Sequence, residues 1–207
     1  MASIINGKLI APKVTAKIYP SLHKGKMNKV NAIIVHQTDS DAAQQTFNQY
    51  KAKSTTGAHF LIDKKGNITQ TGLLNQKCAH VGKILSKCYE TKACTKADLA
   101  LATAIYHQKG LKFSVRVKNL YVHEKEKTYP DRYPMNEDSI GIEIVGKAKA
   151  GTKPGSKVYE SINKEQNASL KWLINELYKL LNLDDEDVYT HPQISRKNVT
   201  EASTAAW

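Results

Sequence analysis

Ser139-Ile-Gly-Ile-Glu-Ile-Val145 is the stretch on which the fold depends. Its length, its weak alternation and its β-branched residues are typical of a strand at the centre of a sheet. Glu143 interrupts the apolar run. A carboxylate in a buried strand is costly unless it is paired or has a function. Glu143 is therefore either a rim carboxylate paired with a lysine or part of a reactive site.

Two further apolar runs end in histidine. Asn31-Ala-Ile-Ile-Val-His36 and Val188-Tyr-Thr-His191 are predicted strands. Residues 58–63 form another, and the turn Lys64-Lys-Gly-Asn67 followed by a return strand from Ile68 predicts a hairpin. A lone histidine at a strand end is usually a structural residue. Even so, strand ends of this kind supply the imidazoles that a zinc hydrolase needs.

Helices alternate with these strands. Residues 40–53 predict a helix with Ser or Asp as N-cap, and the Ala-rich residues 96–109 predict one with Gly110 as C-cap. Residues 164–182 have the clearest amphipathic pattern. Helices and strands mixed throughout the chain indicate a single α/β domain.

The 207 residues suffice for one sizeable core. Residues 1–30 are polar and basic without a strong period, and we expect an N-terminal arm there, over a domain at residues 31–207. The basic stretch 146–157 is predicted to be a flexible loop.

The chain carries 31 Lys and Arg against 19 Asp and Glu, a net charge of +12. This charge attracts polyanions. General surface charge, attraction to the bacterial wall and nucleic-acid binding are the alternatives. The dispersed basic residues and the aromatic content of only 7% disfavour nucleic acid.

The sequence contains no run of 18 apolar residues, so no transmembrane segment is predicted. The N-terminus lacks the pattern of a signal peptide.

Three cysteines, Cys78, Cys88 and Cys94, are too few and too unevenly spaced for a disulfide framework or a structural zinc site. Cys88 and Cys94 close a small loop if the protein works outside the cytoplasm. Three free thiols are the alternative.

Five motifs in order give the chain a likeness to a known family. It resembles the type 2 N-acetylmuramoyl-L-alanine amidases, which share their fold with the peptidoglycan recognition proteins. The matching segments are Ile33-Ile-Val-His-Gln-Thr38, Gly57-Ala-His-Phe-Leu-Ile-Asp-Lys-Lys-Gly66, Cys78-Ala-His-Val-Gly82, Asn136-Glu-Asp-Ser-Ile-Gly-Ile-Glu143 and Thr190-His-Pro192. The resemblance implies a central mixed sheet flanked by helices, with a zinc ion (Zn2+) at the floor of a groove.

The resemblance also implies the metal ligands. His36 and His191 match two zinc ligands of the family. The third ligand is usually Asp or Cys, eight to ten residues after the second histidine, and Glu201 is the only carboxylate in that part of this chain. Glutamate can ligate zinc, so Glu201 is the expected third ligand. A solvated tail residue is the alternative.

By the same resemblance, Glu143 is expected to act as general base and then general acid. The family's oxyanion-stabilising lysine has no direct match, because Val199 stands at its position. Lys197 is the candidate substitute, with a surface lysine as the alternative and Thr200 as another donor. Some relatives place a tyrosine where this chain has Ala58, so Glu143 is expected to act without one.

Three residues are candidate substrate contacts: His80, Asn136 and His59. His80 and Asn136 lie in groove motifs, whereas packing at the strand is the stronger alternative for His59. Residues 83–134 have no counterpart in the family's core. We interpret them as an insertion that shapes the groove and influences substrate choice.

These features predict zinc-dependent hydrolysis of the amide between N-acetylmuramic acid and L-alanine in bacterial peptidoglycan. The expected setting is an antibacterial effector of the type VI secretion kind, exported without a signal peptide into a rival's periplasm, monomeric, and matched by an immunity protein. A phage endolysin and a non-catalytic peptidoglycan recognition module are the alternatives.

Overall fold

The computed structural model describes residues 2–53, 55–153 and 156–207. The strands are β1 Ser3–Ile5, β2 Lys8–Ile10, β3 Val14–Ala16, β4 His23–Lys26, β5 Ala32–Gln37, β6 Phe60–Ile62, β7 Ile68–Gln70, β8 Gln76–Cys78, β9 Ser139–Ile144, β10 Ala148–Ala150, β11 Lys157–Tyr159 and β12 Val188–Thr190. The helices are α1 Ala43–Tyr50, α2 Lys87–Thr91, α3 Lys96–Tyr106, α4 Phe113–Lys125, α5 Lys164–Leu181 and α6 His191–Ile194.

A six-stranded mixed sheet, in the order β12-β5-β9-β6-β7-β3, forms the centre of the molecule. Strands β12, β5, β9 and β6 run parallel, and β7 pairs antiparallel with β6, which confirms the predicted hairpin. The stretch 139–145 does supply a central strand. The α/β prediction with a central mixed sheet is thus confirmed.

The alternation along β9 separates two faces of the sheet. Ile140, Ile142 and Ile144 belong to the main core, in which α5 is packed, whereas Ser139, Gly141 and Glu143 point to the opposite face. Helix α5 is held at its start by a capping box between Asn163 and Gln166. On the opposite face, Ala32 and Ile34 of β5 are buried in a second, smaller core, and the groove lies at the carboxyl ends of the strands, at His36 and Glu143.

The N-terminal arm expected over residues 1–30 contributes a strand to the main sheet. Its strand β3 pairs in parallel with β7 and forms one edge of the main sheet, and β4 pairs with β8. The strands of this arm are only three or four residues long, too short to produce a strong period in the sequence.

Three further expectations are wrong in detail. Helix α1 has Ala42 at its N-cap position without a side-chain cap, because the Ser40 hydroxyl bonds Thr38 and Thr46 instead. Helix α3 ends with His107 as its C-cap, three residues before Gly110. Within the expected loop at 146–157, β10 pairs antiparallel with β11, which starts at Lys157, while residues 154 and 155 lie outside the described residues.

Candidate metal centre in the groove

The carboxyl ends of three adjacent parallel strands bring the candidate residues together. In the β5–β9 register His36 pairs with Glu143, so both side chains leave the same face of the sheet. His191 follows β12 directly and is the first residue of α6, where a strand end was expected. Ligands bind preferentially outside the carboxyl ends of parallel strands.

Glu201 completes a group of three possible ligands. Its Oε1 lies 3.0 Å from Nδ1 of His191 and 3.5 Å from Nδ1 of His36. The two imidazole centroids are 4.3 Å apart. All three side chains are buried, and one donor atom from each lies within 4.8 Å of the others, so the group could hold a metal ion.

The charges in this group favour a cation. Burial opposes ionisation of Glu201, but hydrogen bonds from His191 and His36 outweigh it and lower its pKa to about 2. Burial, and then the neighbouring His191, lower the pKa of His36 to about 4. A neutral imidazole beside an ionised carboxylate is the protonation state that metal binding requires.

Glu143 stands beside these ligands with one oxygen free. Burial, followed by the negative charge of Glu201, raises the pKa of Glu143 to about 8. Its Oε2 is buried, and none of the residues that the structure describes forms a hydrogen bond with it. Such an atom in a native structure calls for a ligand, an ion or a catalytic role, and it weakens the alternative of a rim carboxylate paired with a lysine.

Lys197 is exposed on the rim of the groove, and its positive charge acts on both Glu143 and His36. Thr200 is engaged elsewhere: its hydroxyl accepts from the backbone N–H of Tyr159 and donates to Asn198. Lys197 is thus the better placed of the two candidate donors.

The three candidate substrate contacts have different surroundings. Both ring nitrogens of His80 lie against protein atoms, namely His36 and Ser139. The side-chain oxygen of Asn136 accepts from two backbone N–H groups, although the residue does line the groove. His59 is completely buried, and its ring bonds Gln76 O and Gly141 N. His59 therefore packs the strand and has no surface for a substrate.

Sequence reasoning missed Tyr50. This residue ends α1, is buried, and lines the groove of about 420 Å³ next to Gly57. Burial, and then the nearby Glu143, raise its pKa well above the ordinary value, so the phenol keeps its proton. It stands close to Ala58, the position of the tyrosine in some relatives, but it comes from a helix and not from the strand. No local motif signals this placement.

The model of a protein family described as N-acetylmuramoyl-L-alanine amidase (Amidase_2) matches residues 26–202. The chain belongs to this family. The amidase therefore acts on bacterial peptidoglycan, at the bond between N-acetylmuramic acid and L-alanine. Among curated proteins, no match to its sequence was found.

Solved structures share the amidase's fold. A selenomethionine derivative of AmpD has a TM-score of 0.52 at 14% identity, over 94% of this chain and 88% of that one. The catalytic domain of XlyA also scores 0.52, at 19% identity over 89% and 87%. The amidase LysC from Clostridium intestinale URNW scores 0.50, at 17% identity over 90% and 87%. At these identities the likeness is one of fold.

None of the helices in the part of the amidase that the structure describes has the length and apolar character needed to cross a bilayer. Cys88, within α2, forms a disulfide with Cys94, just after that helix, and Cys78 is a buried free thiol. Of the two cysteine alternatives, the small closed loop is the one found.

Proposed function

We propose that the amidase is a zinc hydrolase in which His36, His191 and Glu201 hold the metal and Glu143 handles the proton. The observation that carries the proposal is the convergence of two imidazole Nδ1 atoms and one carboxylate oxygen beside the unpartnered Oε2 of Glu143. Two nitrogen donors and one oxygen donor are a ligand set that catalytic zinc sites use.

The chemistry that a zinc ion supplies at such a site is Lewis acidity, which makes hydroxide available near pH 7 and polarises a carbonyl. The chain's own residues do the rest. A cation held by the three candidate ligands would lower the raised pKa of Glu143. The ionised Glu143 then accepts a proton at Oε2 and returns it to the leaving amine of L-alanine. Lys197 and the protonated phenol of Tyr50 offer donors for negative charge that develops on the carbonyl oxygen. The buried floor of the groove keeps these interactions out of bulk water.

Metal removal tests this proposal. We expect the purified amidase to contain about one zinc per chain and to release stem peptides from sacculi. Dialysis against a chelator should abolish release, and stoichiometric zinc should restore it. Metal content is measured by mass spectrometry and release by chromatography of the soluble peptides. Full activity in protein shown to be free of metal contradicts the proposal.

A recognition module without catalysis is the rival from another class. It predicts binding to sacculi with no peptide released, whether or not zinc is present. The intact pairing of Glu143 with His36 across two strands favours the enzyme. A nucleic-acid-binding protein would show a steep salt dependence of DNA binding and no affinity for wall fragments.

We also propose that residues 83–134 influence substrate choice through an aromatic cluster. The guanidinium of Arg196 lies 5.2 Å from the ring centroid of Phe113 and 5.5 Å from that of Tyr106. Phe113 is 50% exposed. Because Arg196 directly precedes Lys197 on the groove rim, the cluster offers a stacking surface that continues the groove.

Replacement of Phe113 by Ala should lower kcat/KM on intact sacculi by about threefold to tenfold, the worth of one or two exposed stacking contacts. It should leave kcat/KM on a single muramyl peptide unchanged, because so small a substrate fills only the groove. Val122→Ala, an exposed apolar residue of α4 outside the cluster, is the matched control. Equal losses on both substrates contradict this role.

The setting we propose is an antibacterial effector, with a phage endolysin as the alternative. Disulfides persist in oxidising compartments, so the Cys88–Cys94 bond supports work outside the cytoplasm, and the net charge of +12 supports attraction to wall polyanions. The effector acts in the target cell's periplasm and requires a neighbouring immunity gene, whereas an endolysin lies among phage genes. Inspection of the genomic neighbourhood separates the two.

A further inference from the structure

The segment that carries His80 and Val81 lies behind both histidines of the metal centre. Nε2 of His36 is 3.0 Å from Nδ1 of His80. Nε2 of His191 is 3.0 Å from the carbonyl oxygen of Val81. Each histidine therefore presents Nδ1 to Glu201 and is held from behind, through Nε2, by one of two consecutive residues.

The hydrogen-bond partners determine where the protons are. A carbonyl oxygen only accepts, so Nε2 of His191 carries hydrogen and donates to Val81. Nε2 of His80 faces the carbonyl oxygen of Ser139 at 3.3 Å and must also carry hydrogen. The remaining nitrogen of a neutral His80, Nδ1, then accepts from Nε2–H of His36. With Nε2 of each histidine engaged in this way, Nδ1 is the nitrogen that faces Glu201 and would ligate a metal ion.

Two other residues fix this arrangement. Oδ1 of Asn136 accepts from the backbone N–H groups of both His80 and Val81, at 2.9 Å each. Gly141 provides the space for the imidazole, because a Cβ there would lie 2.8 Å from Nδ1 of His80. Both residues belong to the Asn-x-x-Ser-Ile-Gly-Ile-Glu motif, so the motif supports the ligands as well as supplying Glu143.

We propose that His80 and Asn136 are positioning residues that set the tautomer and orientation of the two histidine ligands, and not primary substrate contacts. The inference rests on the proposed zinc site. Ligating histidines commonly donate their second ring nitrogen to such a partner, and loss of the partner typically lowers metal affinity 10- to 100-fold. Here one asparagine oxygen controls the partners of both ligands.

Zinc affinity of the metal-free protein, measured by competition with a chromophoric chelator, tests the proposal without an activity assay. His80→Leu removes the acceptor for Nε2–H of His36 and should raise the Kd for zinc by about 10- to 100-fold. His80→Asn places an amide oxygen near the position of Nδ1, and its Kd should stay within about fivefold of the unsubstituted protein. Asn136→Leu should weaken zinc binding as His80→Leu does.

His59→Leu is the matched control, because it removes an equally buried imidazole that bonds no ligand. It should lower the melting temperature of the metal-free protein and leave the Kd for zinc unchanged.

The outcomes separate this inference from the proposed function. If the unsubstituted protein binds no zinc, the zinc proposal fails. If it binds zinc and His80→Leu and Asn136→Leu bind equally well, the zinc site stands and the positioning role is wrong. If His59→Leu weakens zinc binding as much as His80→Leu does, the effect comes from packing, and the positioning role is again wrong.

Discussion

Glu143→Gln should reduce the release of stem peptides from sacculi by about 10²- to 10⁴-fold, the range typical of a lost general acid–base residue. Glutamine keeps the shape of the side chain and its place opposite His36 on β9. It cannot take up a proton from the attacking water or deliver one to the leaving amine. The expected loss is therefore in kcat, with substrate affinity largely retained.

The same substitution should have the opposite effect on stability, which separates lost chemistry from lost folding. In the metal-free protein the pKa of Glu143 is raised from 4.5 to about 8. Below pH 4.5 the carboxyl is protonated in both the folded and the unfolded state, and its contribution to stability is intact. Between these values the unfolded chain releases a proton that the folded chain keeps, so stability falls as the pH rises.

Glutamine does not titrate. Metal-free Glu143→Gln should accordingly match the unsubstituted protein below pH 4.5 and exceed its free energy of unfolding above pH 8, by up to about 5 kcal/mol. Urea denaturation at the two pH values measures the difference, and peptide release from sacculi measures the activity. A Glu143→Gln protein that is folded, binds zinc and retains full activity eliminates Glu143 as the base.

Glu201→Ala should remove both the metal and the activity. Its carboxylate Oε1 faces Nδ1 of both His36 and His191. Without it, two imidazoles remain as protein ligands, fewer than the three that catalytic zinc sites use. We expect zinc to be lost on dialysis and peptide release to fall below detection.

Two conservative variants show which property of Glu201 matters. Glu201→Gln keeps the length and removes the charge, so it should bind zinc far more weakly than the unsubstituted protein. Glu201→Asp keeps the charge and draws the oxygen back by about 1.5 Å, so its zinc affinity should lie between those of the glutamate and alanine forms. Stoichiometric zinc in Glu201→Ala would show that the third ligand lies elsewhere.

The candidate metal ligands and the candidate base could be predicted, because they depend on the types of residue present and on their spacing in the sequence. His36, His191 and Glu143 were predicted from strand motifs that match the family in order, and Glu201 from its spacing of ten residues after His191. The central strand and the neighbouring hairpin could also be predicted, since their apolar runs have the length of strands and are bounded by turn residues.

The supporting contacts could not be predicted, because they run through backbone atoms or between distant elements. Asn136 was expected to meet substrate, yet its oxygen serves two backbone N–H groups. Tyr50 lines the groove because α1 packs beside it, and this packing has no local signal in the sequence. Strand β3 forms through its pairing with β7, and no sequence pattern within Val14–Ala16 predicts a strand.

The sheet order has a consequence for biosynthesis. The candidate metal centre joins His36 to Glu201, 165 positions later in the sequence, through strands β5 and β12 that are neighbours in space. Since a chain emerges from the ribosome with its N-terminus first, no growing polypeptide carries the three candidate ligands together until Glu201 has been translated. Products that terminate before Glu201 should be inert for the same reason.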